Sequence, residues 1–198
     1  MQKYIIGISG KIGTGKTTLA GHLQVLLARE LFVVEHFSFG GALKREVSRV
    51  FGASLVDLYS QEGKAKSCTF EIDGLERTMT LRQLLQWYGT EYTRAQCPHY
   101  WVDRLSEEIA QSDCRVAIID DVRFEDEAEY SAKPGRKKSM LLRLEPYAGW
   151  TCDHSVAAHE SETALDDYTF RWRITPQFGE LDEIAQLLLP MIRQELRG

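Results

Sequence analysis

Cysteine is scarce in this chain of 198 residues: Cys68, Cys97, Cys114 and Cys152 are spread along it with no CxxC pair. That spacing excludes a disulfide-stapled scaffold and predicts reduced thiols. Finger-type metal spacing is missing too, which leaves only a weak zinc candidate on Cys152, His154 and His159. No apolar run approaches the roughly 18 residues that a membrane span needs, and MQKYIIGISG at the start has too few apolar residues before its glycines for a secretory signal. The expectation is a cytoplasmic protein with no membrane partner. Positive charge is not in excess either, since 24 Lys and Arg stand against 29 Asp and Glu, a net charge of −5. No global field draws the chain to nucleic acid, so any polyanion must be gripped locally. Internal repeats, low-complexity segments and long linkers are absent.

What remains, 43% hydrophobic and 27% charged residues, suits one α/β domain with a sizeable core. Residues 3–9 form an isoleucine-rich run that reads as a buried strand, and residues 17–30 place Leu19, Leu23, Leu26 and Leu27 at helical spacing. A strand over 32–38 and a helix over 42–51 follow. Residues 52–79 break the alternation, with Asp73-Gly74 signalling a hairpin inside a small insertion. Thr80 then offers an N-cap to a helix over 81–94. A helix over 101–110, a strand over 115–121, a helix over 125–132, strands over 140–145 and 170–174 and a last helix from 179 complete the pattern. Alternation of this kind predicts a parallel sheet with helices on both faces.

The chemistry starts at GISGKIGTGKTTLAG, residues 7–21. Gly10, Gly15, Lys16 and Thr17 fit GxxxxGK[ST] after a buried strand and at the start of a helix, where a phosphate cradle must sit. Glycine lets backbone N–H groups turn inward and a phosphate approach closely, and the helix N-terminus adds partial positive charge. The donor-phosphate set is therefore Gly10, Lys11, Gly13, Thr14, Gly15, Lys16, Thr17 and Thr18, with Lys16 on the β- and γ-phosphates of ATP and the Thr17 hydroxyl on Mg2+. Val116–Ile119 lead into Asp120 and Asp121, which such a strand delivers to the same sheet edge; Asp120 is the second magnesium candidate. Arg123 follows at once, placed to meet a transferring phosphoryl group or an acceptor phosphate. No NKxD guanine motif or LSGGQ motif is present, so small-molecule and nucleotide kinases form the largest remaining pool.

Within that pool, LRQLLQWYGTEYTR (81–94), YWVDRL (100–105), IIDDVRFEDE (118–127), HESETALDDYTF (159–170) and FSFGGALKREV (37–47) resemble the deoxynucleoside monophosphate kinases of tailed bacteriophages and their prophage relatives. The resemblance covers most of the chain. It implies a nucleoside monophosphate kinase-like sheet, location in the cytoplasm of a bacterial host, and an acceptor clamped by arginine-bearing helices. Carried over, it places Lys11 on the donor phosphates, Lys44, Arg82, Arg94 and Arg123 on the acceptor, and Gly89 and Thr90 in the acceptor pocket near Trp87 or Tyr88. Thr17 stands where many relatives have Asp, TPQFG (175–179) replaces an Asn-containing turn beside the donor base, and the lid-like stretch 147–170 has no Arg or Lys.

The acceptor has two readings. A nucleoside monophosphate arrives as an anion and needs cations, which Arg82, Arg94 and Arg123 supply. The same resemblance includes kinases of the 5-hydroxymethyl group of 5-hydroxymethyluracil in phage DNA, and an alcohol needs a proton acceptor, for which Asp120, Asp121 and Glu91 are available. A non-catalytic ATP-binding regulatory module is the reading from another class. Arg82 and Arg94 also make sense as solvated helix charges, and Trp87, Tyr88 and Trp101 as core aromatics. The basic run Lys133, Arg136, Lys137 and Lys138 joins a helix to a strand at the sheet edge opposite the cradle and reads as a solvated turn.

Overall fold

The computed structural model describes residues 3–132, 139–151, 160–177 and 179–197. In chain order the elements are β1 (Tyr4–Gly10), α1 (Lys16–Arg29), β2 (Val34–Phe37), α2 (Phe39–Phe51), α3 (Leu55–Tyr59), α4 (Gln61–Ala65), β3 (Ser67–Ile72) and β4 (Leu75–Thr80). Then come α5 (Leu81–Gln86), a π-helix (Trp87–Arg94), α6 (Tyr100–Gln111), β5 (Val116–Val122), α7 (Glu125–Ala132), β6 (Ser139–Leu144), α8 (Glu160–Thr163), β7 (Trp172–Ile174) and α9 (Leu181–Arg197). They divide into two units, Met1–Ser38 with Glu107–Gly198, and Phe39–Ser106. Among the described residues no helix is long and apolar enough to cross a membrane.

The first unit is built on a parallel sheet in the order β2-β5-β1-β6-β7. Helices cover both faces, which is why β1 is apolar at successive rather than alternate positions and buried along its whole length. Tyr4, Ile6 and Ile8 pack with Leu19, Leu23 and Leu27 of α1 and with Ile184, Leu188 and Ile192 of α9. Each such aliphatic side chain contributes about 2 kcal/mol by leaving water. On the other face Gly7 lies so close to α7 that an added Cβ would come within 2.6 Å of Ser131 Cβ. The chain leaves β1 toward β2 on one side, returns through β5, and crosses β1 to reach β6. Strand order therefore reverses at β1, and the carboxyl ends of β1 and β5 border the crevice in which open α/β sheets bind ligands. Lys3 donates to the carbonyls of Ile109, Ala110 and Ser112, groups that the end of α6 leaves without intrahelical partners.

The second unit holds α2–α5, the hairpin β3–β4, the π-helix and the start of α6. The hairpin turns on Asp73 (φ 55°) and Gly74 (φ 74°), the two positive dihedrals of a type I′ turn. α5 opens on a capping box: Gln83 N–H donates to Thr80 Oγ1 at 3.2 Å, and Thr80 N–H donates to Gln83 Oε1 at 2.9 Å. Glu46 of α2 is buried and accepts from Tyr88 Oη (2.9 Å) and Tyr100 Oη (2.7 Å), with Arg104 Nε 3.4 Å from its other oxygen.

Several sequence expectations are corrected here. The single α-helix expected over 81–94 ends at Gln86, and residues 87–94 widen into a π-helix. The wider turn brings Trp87 and Tyr92, five residues apart, to 5.1 Å between ring centroids, and the Gly89 carbonyl accepts from Trp101 Nε1 at 2.9 Å. Residues 52–79 hold two five-residue helices besides the hairpin expected there. The zinc candidates Cys152, His154 and His159, the basic residues Lys133, Arg136, Lys137 and Lys138, and Phe178 of TPQFG lie outside the described residues.

Candidate active site

The loop between β1 and α1 carries the glycines where side chains would not fit. Gly15 caps α1 with φ 92°, and a Cβ there would stand 2.5 Å from Leu181 Cδ1; at Gly10 a Cβ would stand 2.6 Å from the Leu144 carbonyl oxygen. No side chain caps α1 and no carboxylate occupies its first turn. The first backbone N–H groups of that helix thus keep both their donor capacity and their share of the helix dipole for an anion. Thr14 is buried and donates its hydroxyl to the Lys11 carbonyl at 2.9 Å, and Trp150 Nε1 donates to the Ile12 carbonyl at 2.9 Å, so the loop is held from both sides. Thr18 is exposed one position beyond Thr17.

Lys16 is 8% exposed and donates to the carbonyls of Gly10 (2.8 Å) and Lys11 (2.7 Å). Burial, and after it the Arg123 charge, lowers its pKa from 10.5 to about 8, against the opposing pull of Glu162, Asp120 and Asp121. An incoming polyanion would replace missing solvation with charge.

Asp120 lies two residues before the end of its buried strand β5, beside this lysine. Thr17 Oγ1 donates to Asp120 Oδ2 at 2.5 Å, and His36 Nε2 lies 3.0 Å from Asp120 Oδ1. Burial alone would raise the Asp120 carboxyl, but hydrogen bonds from His36 and Thr17, with the charges of His36 and Lys16, hold it below the ordinary carboxylate range. His36 is shifted upward, first by its hydrogen bond to Asp120. An ionised carboxylate paired with a hydroxyl at the head of a phosphate loop is a hard oxygen donor set, which fits Mg2+. Among the described residues no cluster of three or more His, Cys, Asp or Glu side chains forms a metal cage, and magnesium bound with phosphates needs none.

The loop is engaged by carboxylates that sequence reasoning did not place there. Glu162 of α8, 6% exposed, accepts from Ile12 N–H at 2.7 Å and pairs with Arg123 Nη1. Asp166 takes Lys11 Nζ at 2.6 Å and Arg143 Nη2 at 2.7 Å. Arg143 is itself buried on β6 opposite Ser9 of β1. Glu127 accepts from the N–H groups of Arg123 (2.8 Å) and Phe124 (3.2 Å) and fixes the turn after β5. Lys11 and Arg123, both expected on phosphates, are thus each bound to a carboxylate. The signal was present in HESETALDDYTF, but no local pattern tells which loop its acids face.

Asp121 follows Asp120 on β5 and is half-buried; the other expected residues lie in the second unit. Arg82 Nη2 donates to Gln61 Oε1 at 2.8 Å, and Lys44 Nζ stands 4.4 Å from the centroid of the Tyr59 ring. Gly89 is buried, and a Cβ there would meet Leu43 Cδ2 at 2.8 Å. Thr90 is half-buried and Glu91 exposed on the π-helix, whose Arg94 donates to the Pro98 carbonyl at 3.2 Å. Lys44 and Arg82 belong to one corner of this unit; Glu91 and Arg94 belong to the π-helix.

No protein-family model matches this chain, and no curated protein matches it. Among solved structures, its fold is similar to that of the shikimate kinase from Bacteroides thetaiotaomicron, with a TM-score of 0.50 and 13% identity over 96% of this chain and 98% of that chain. An APS kinase from Mycobacterium tuberculosis aligns with a TM-score of 0.48 and 14% identity, over 97% of this chain and 98% of that one. A shikimate kinase from Acinetobacter baumannii aligns with a TM-score of 0.48 and 13% identity, over 98% and 94%. What is shared at such identities is the fold, an α/β architecture with a parallel central sheet flanked by helices.

Proposed function

We propose that this chain is a magnesium-dependent kinase that moves the γ-phosphoryl group of ATP to a deoxynucleotide, with a free deoxynucleoside monophosphate as acceptor. One observation carries the reading: an uncapped helix behind a glycine loop begins with a buried lysine and then a threonine whose hydroxyl lies 2.5 Å from the Asp120 carboxylate of the neighbouring strand β5. The N–H groups from Ile12 to Thr17 cradle the donor phosphates, and Lys16 moves from its two carbonyls onto the β- and γ-oxygens. Thr17 and Asp120 would hold Mg2+, which would supply charge neutralisation for the phosphate oxygens. Glu162 leaves Ile12 N–H and Arg123, and the freed guanidinium faces the transferring group. An acceptor oxygen forms the new bond to the γ-phosphorus, the β–γ bridging bond breaks, and ADP departs. The kinase activity in the name of the similar Bacteroides thetaiotaomicron structure and the resemblance to phage nucleotide kinases support the same reaction class.

A second acceptor is favoured by one contact. A neutral His36 that donates Nε2–H to Asp120 carries its basic lone pair on Nδ1, and a base is what the hydroxymethyl group of a DNA base requires and a phosphate does not. Incubation with γ-labelled ATP, Mg2+ and either mixed deoxynucleoside monophosphates or hydroxymethyluracil-containing DNA separates the readings. Labelled diphosphate supports the first and labelled polymer the second. Nucleotide binding with no transfer to any acceptor leaves a regulatory module and refutes both.

A further inference from the structure

The run SMLLRL of β6 reads as a strand covered on both faces, and all but its first residue is buried, Arg143 included. A guanidinium is always charged, and burying one is costly unless a carboxylate and hydrogen bonds compensate it. Arg143 is 4% exposed and lies opposite Ser9, the residue before the first glycine of the phosphate loop. Its Nη1 stands 3.4 Å from Ser9 Oγ and its face 5.5 Å from the Phe170 ring centroid. Among the described residues its Nε has no hydrogen-bond partner; the Glu145 carboxylate is 3.7 Å away and takes Arg173 Nη1 at 2.6 Å. Nη2 donates to Asp166 Oδ1 at 2.7 Å, so Asp166 is the one carboxylate hydrogen-bonded to this buried cation among the described residues. The same carboxylate accepts from Lys11 Nζ at 2.6 Å. Lys11 Nζ also donates to the carbonyl of Glu162, whose carboxylate accepts from Ile12 N–H at 2.7 Å, so the ammonium and an amide of the cradle meet on one residue.

We propose that Arg143 is a positioning residue for Lys11: it shares Asp166 with that lysine and keeps the carboxylate neutralised when Lys11 turns to the donor phosphates. The proposal rests on the kinase reading above and adds Arg143, which no sequence motif marked. A phosphate that displaces the Glu162 carboxylate from Ile12 N–H arrives beside Lys11 Nζ, and the ammonium swings from Asp166 to the phosphate oxygens. Arg143 stays behind on Asp166. What Lys11 gives up is then one charge-assisted hydrogen bond to a partly exposed carboxylate, and no bare negative charge is left beside the triphosphate. Without Arg143, Lys11 would be the one cation hydrogen-bonded to Asp166 among the described residues, and Asp166 would compete with phosphate for it. Strand pairing fixes the device in place, because Arg143 and Leu144 lie against Ser9 and Gly10, the backbone from which the loop departs. A charge thus stands where an aliphatic residue would pack, and breaks of that kind gather at functional sites.

Calorimetric titration of Mg·ATP into the full chain tests this, with thermal unfolding beside it to check that each variant folds. Arg143→Met should weaken Mg·ATP binding about 10-fold, and Arg143→Lys, which offers a point charge in place of a planar fork, about 3-fold. Adding Asp166→Asn should restore most of either loss, because Lys11 then has no carboxylate to leave. In a Lys11→Met background neither Arg143 substitution should weaken binding further. A purely structural role predicts losses that persist in both backgrounds; such persistence overturns the proposal, as does parental affinity in both Arg143 variants. If Arg143→Met does not fold, Arg143→Lys decides by the same two backgrounds. These couplings are read from binding, so a chain that shows them yet phosphorylates no acceptor keeps the Arg143 role and loses the kinase reading. One that transfers phosphate without them loses only the Arg143 role, and absence of Mg·ATP binding by the unaltered chain overturns both.

Discussion

Thr17 and Asp120, 103 residues apart in sequence, share a hydrogen bond of 2.5 Å between the first turn of α1 and the last residues of β5. β1 and β5 pair in parallel register, and α1 begins where the loop returns to the sheet edge. The two oxygens that would hold a cation are therefore brought together by the topology.

Removing either oxygen should cost activity and leave the fold intact. Asp120→Asn and Thr17→Val should each lower magnesium-dependent transfer by about 100-fold or more, because metal charge stabilisation is worth several kcal/mol and each tenfold corresponds to about 1.4 kcal/mol. Rates measured over a magnesium series check this. A near-normal rate at low magnesium for both variants would remove these residues from the metal site.

Lys16 should be costly to stability and needed for turnover. Its folded pKa of about 8 lies below the usual 10.5, so the protonated form is penalised in the folded chain. The penalty is complete below pH 8 and is relieved as pH rises toward 10.5, where the unfolded chain still holds its proton and the folded one does not. Lys16→Met should therefore abolish transfer yet be more stable to unfolding than the parent at pH 7, by up to about 3 kcal/mol. That gain should shrink as pH rises from 8 to 10. A variant less stable at pH 7 would show that the bonds to Gly10 and Lys11 outweigh burial.

In the proposed reaction Glu162 competes with phosphate for Ile12 N–H and Arg123, which it engages in this structure. Glu162→Gln should tighten Mg·ATP binding about 10-fold, since a charge-assisted hydrogen bond no longer has to be given up. It should also lower the melting temperature without nucleotide, because Arg123 loses its carboxylate, and so enlarge the shift that nucleotide produces. Weaker nucleotide binding in this variant would place Glu162 among the groups that hold the donor.

Glu46 anchors the second unit. Glu46→Ala removes the shared acceptor of Tyr88, Tyr100 and Arg104 and should destabilise by about 3 kcal/mol, whereas Glu46→Gln keeps an acceptor and should cost less. Urea unfolding of both variants checks the order; equal losses would show that the charge rather than the hydrogen bonding carries the contact.

What could be read from the chain was what is encoded locally. The glycine octet announces its own loop, and the run before Asp120 announces a strand end. Thr80 with Gln83 and Asp73 with Gly74 carry their cap and turn in two to four residues. Contacts made by register or by distant loops were illegible. His36 reaches Asp120 because β2 pairs with β5, with His36 opposite Ile118, and Glu162 meets Ile12 across 150 positions. The π-helix escaped because LRQLLQWYGTEYTR shows a periodicity of 3.6, while the rings of Trp87 and Tyr92 and the Trp101 bond to Gly89 select the wider turn. α3 and α4 escaped because five residues are too few to show a period.

The central claim, that main-chain amides 12–17 and the Lys16 ammonium receive a triphosphate tail, is tested most directly by backbone amide NMR shifts on adding Mg·ATP. The largest changes should fall on Ile12 to Thr17, with Ile12 reporting the departure of Glu162, and they should vanish in Lys16→Ala. Amides 12–17 unmoved at saturating nucleotide, or shifts centred elsewhere in the sheet, would contradict it.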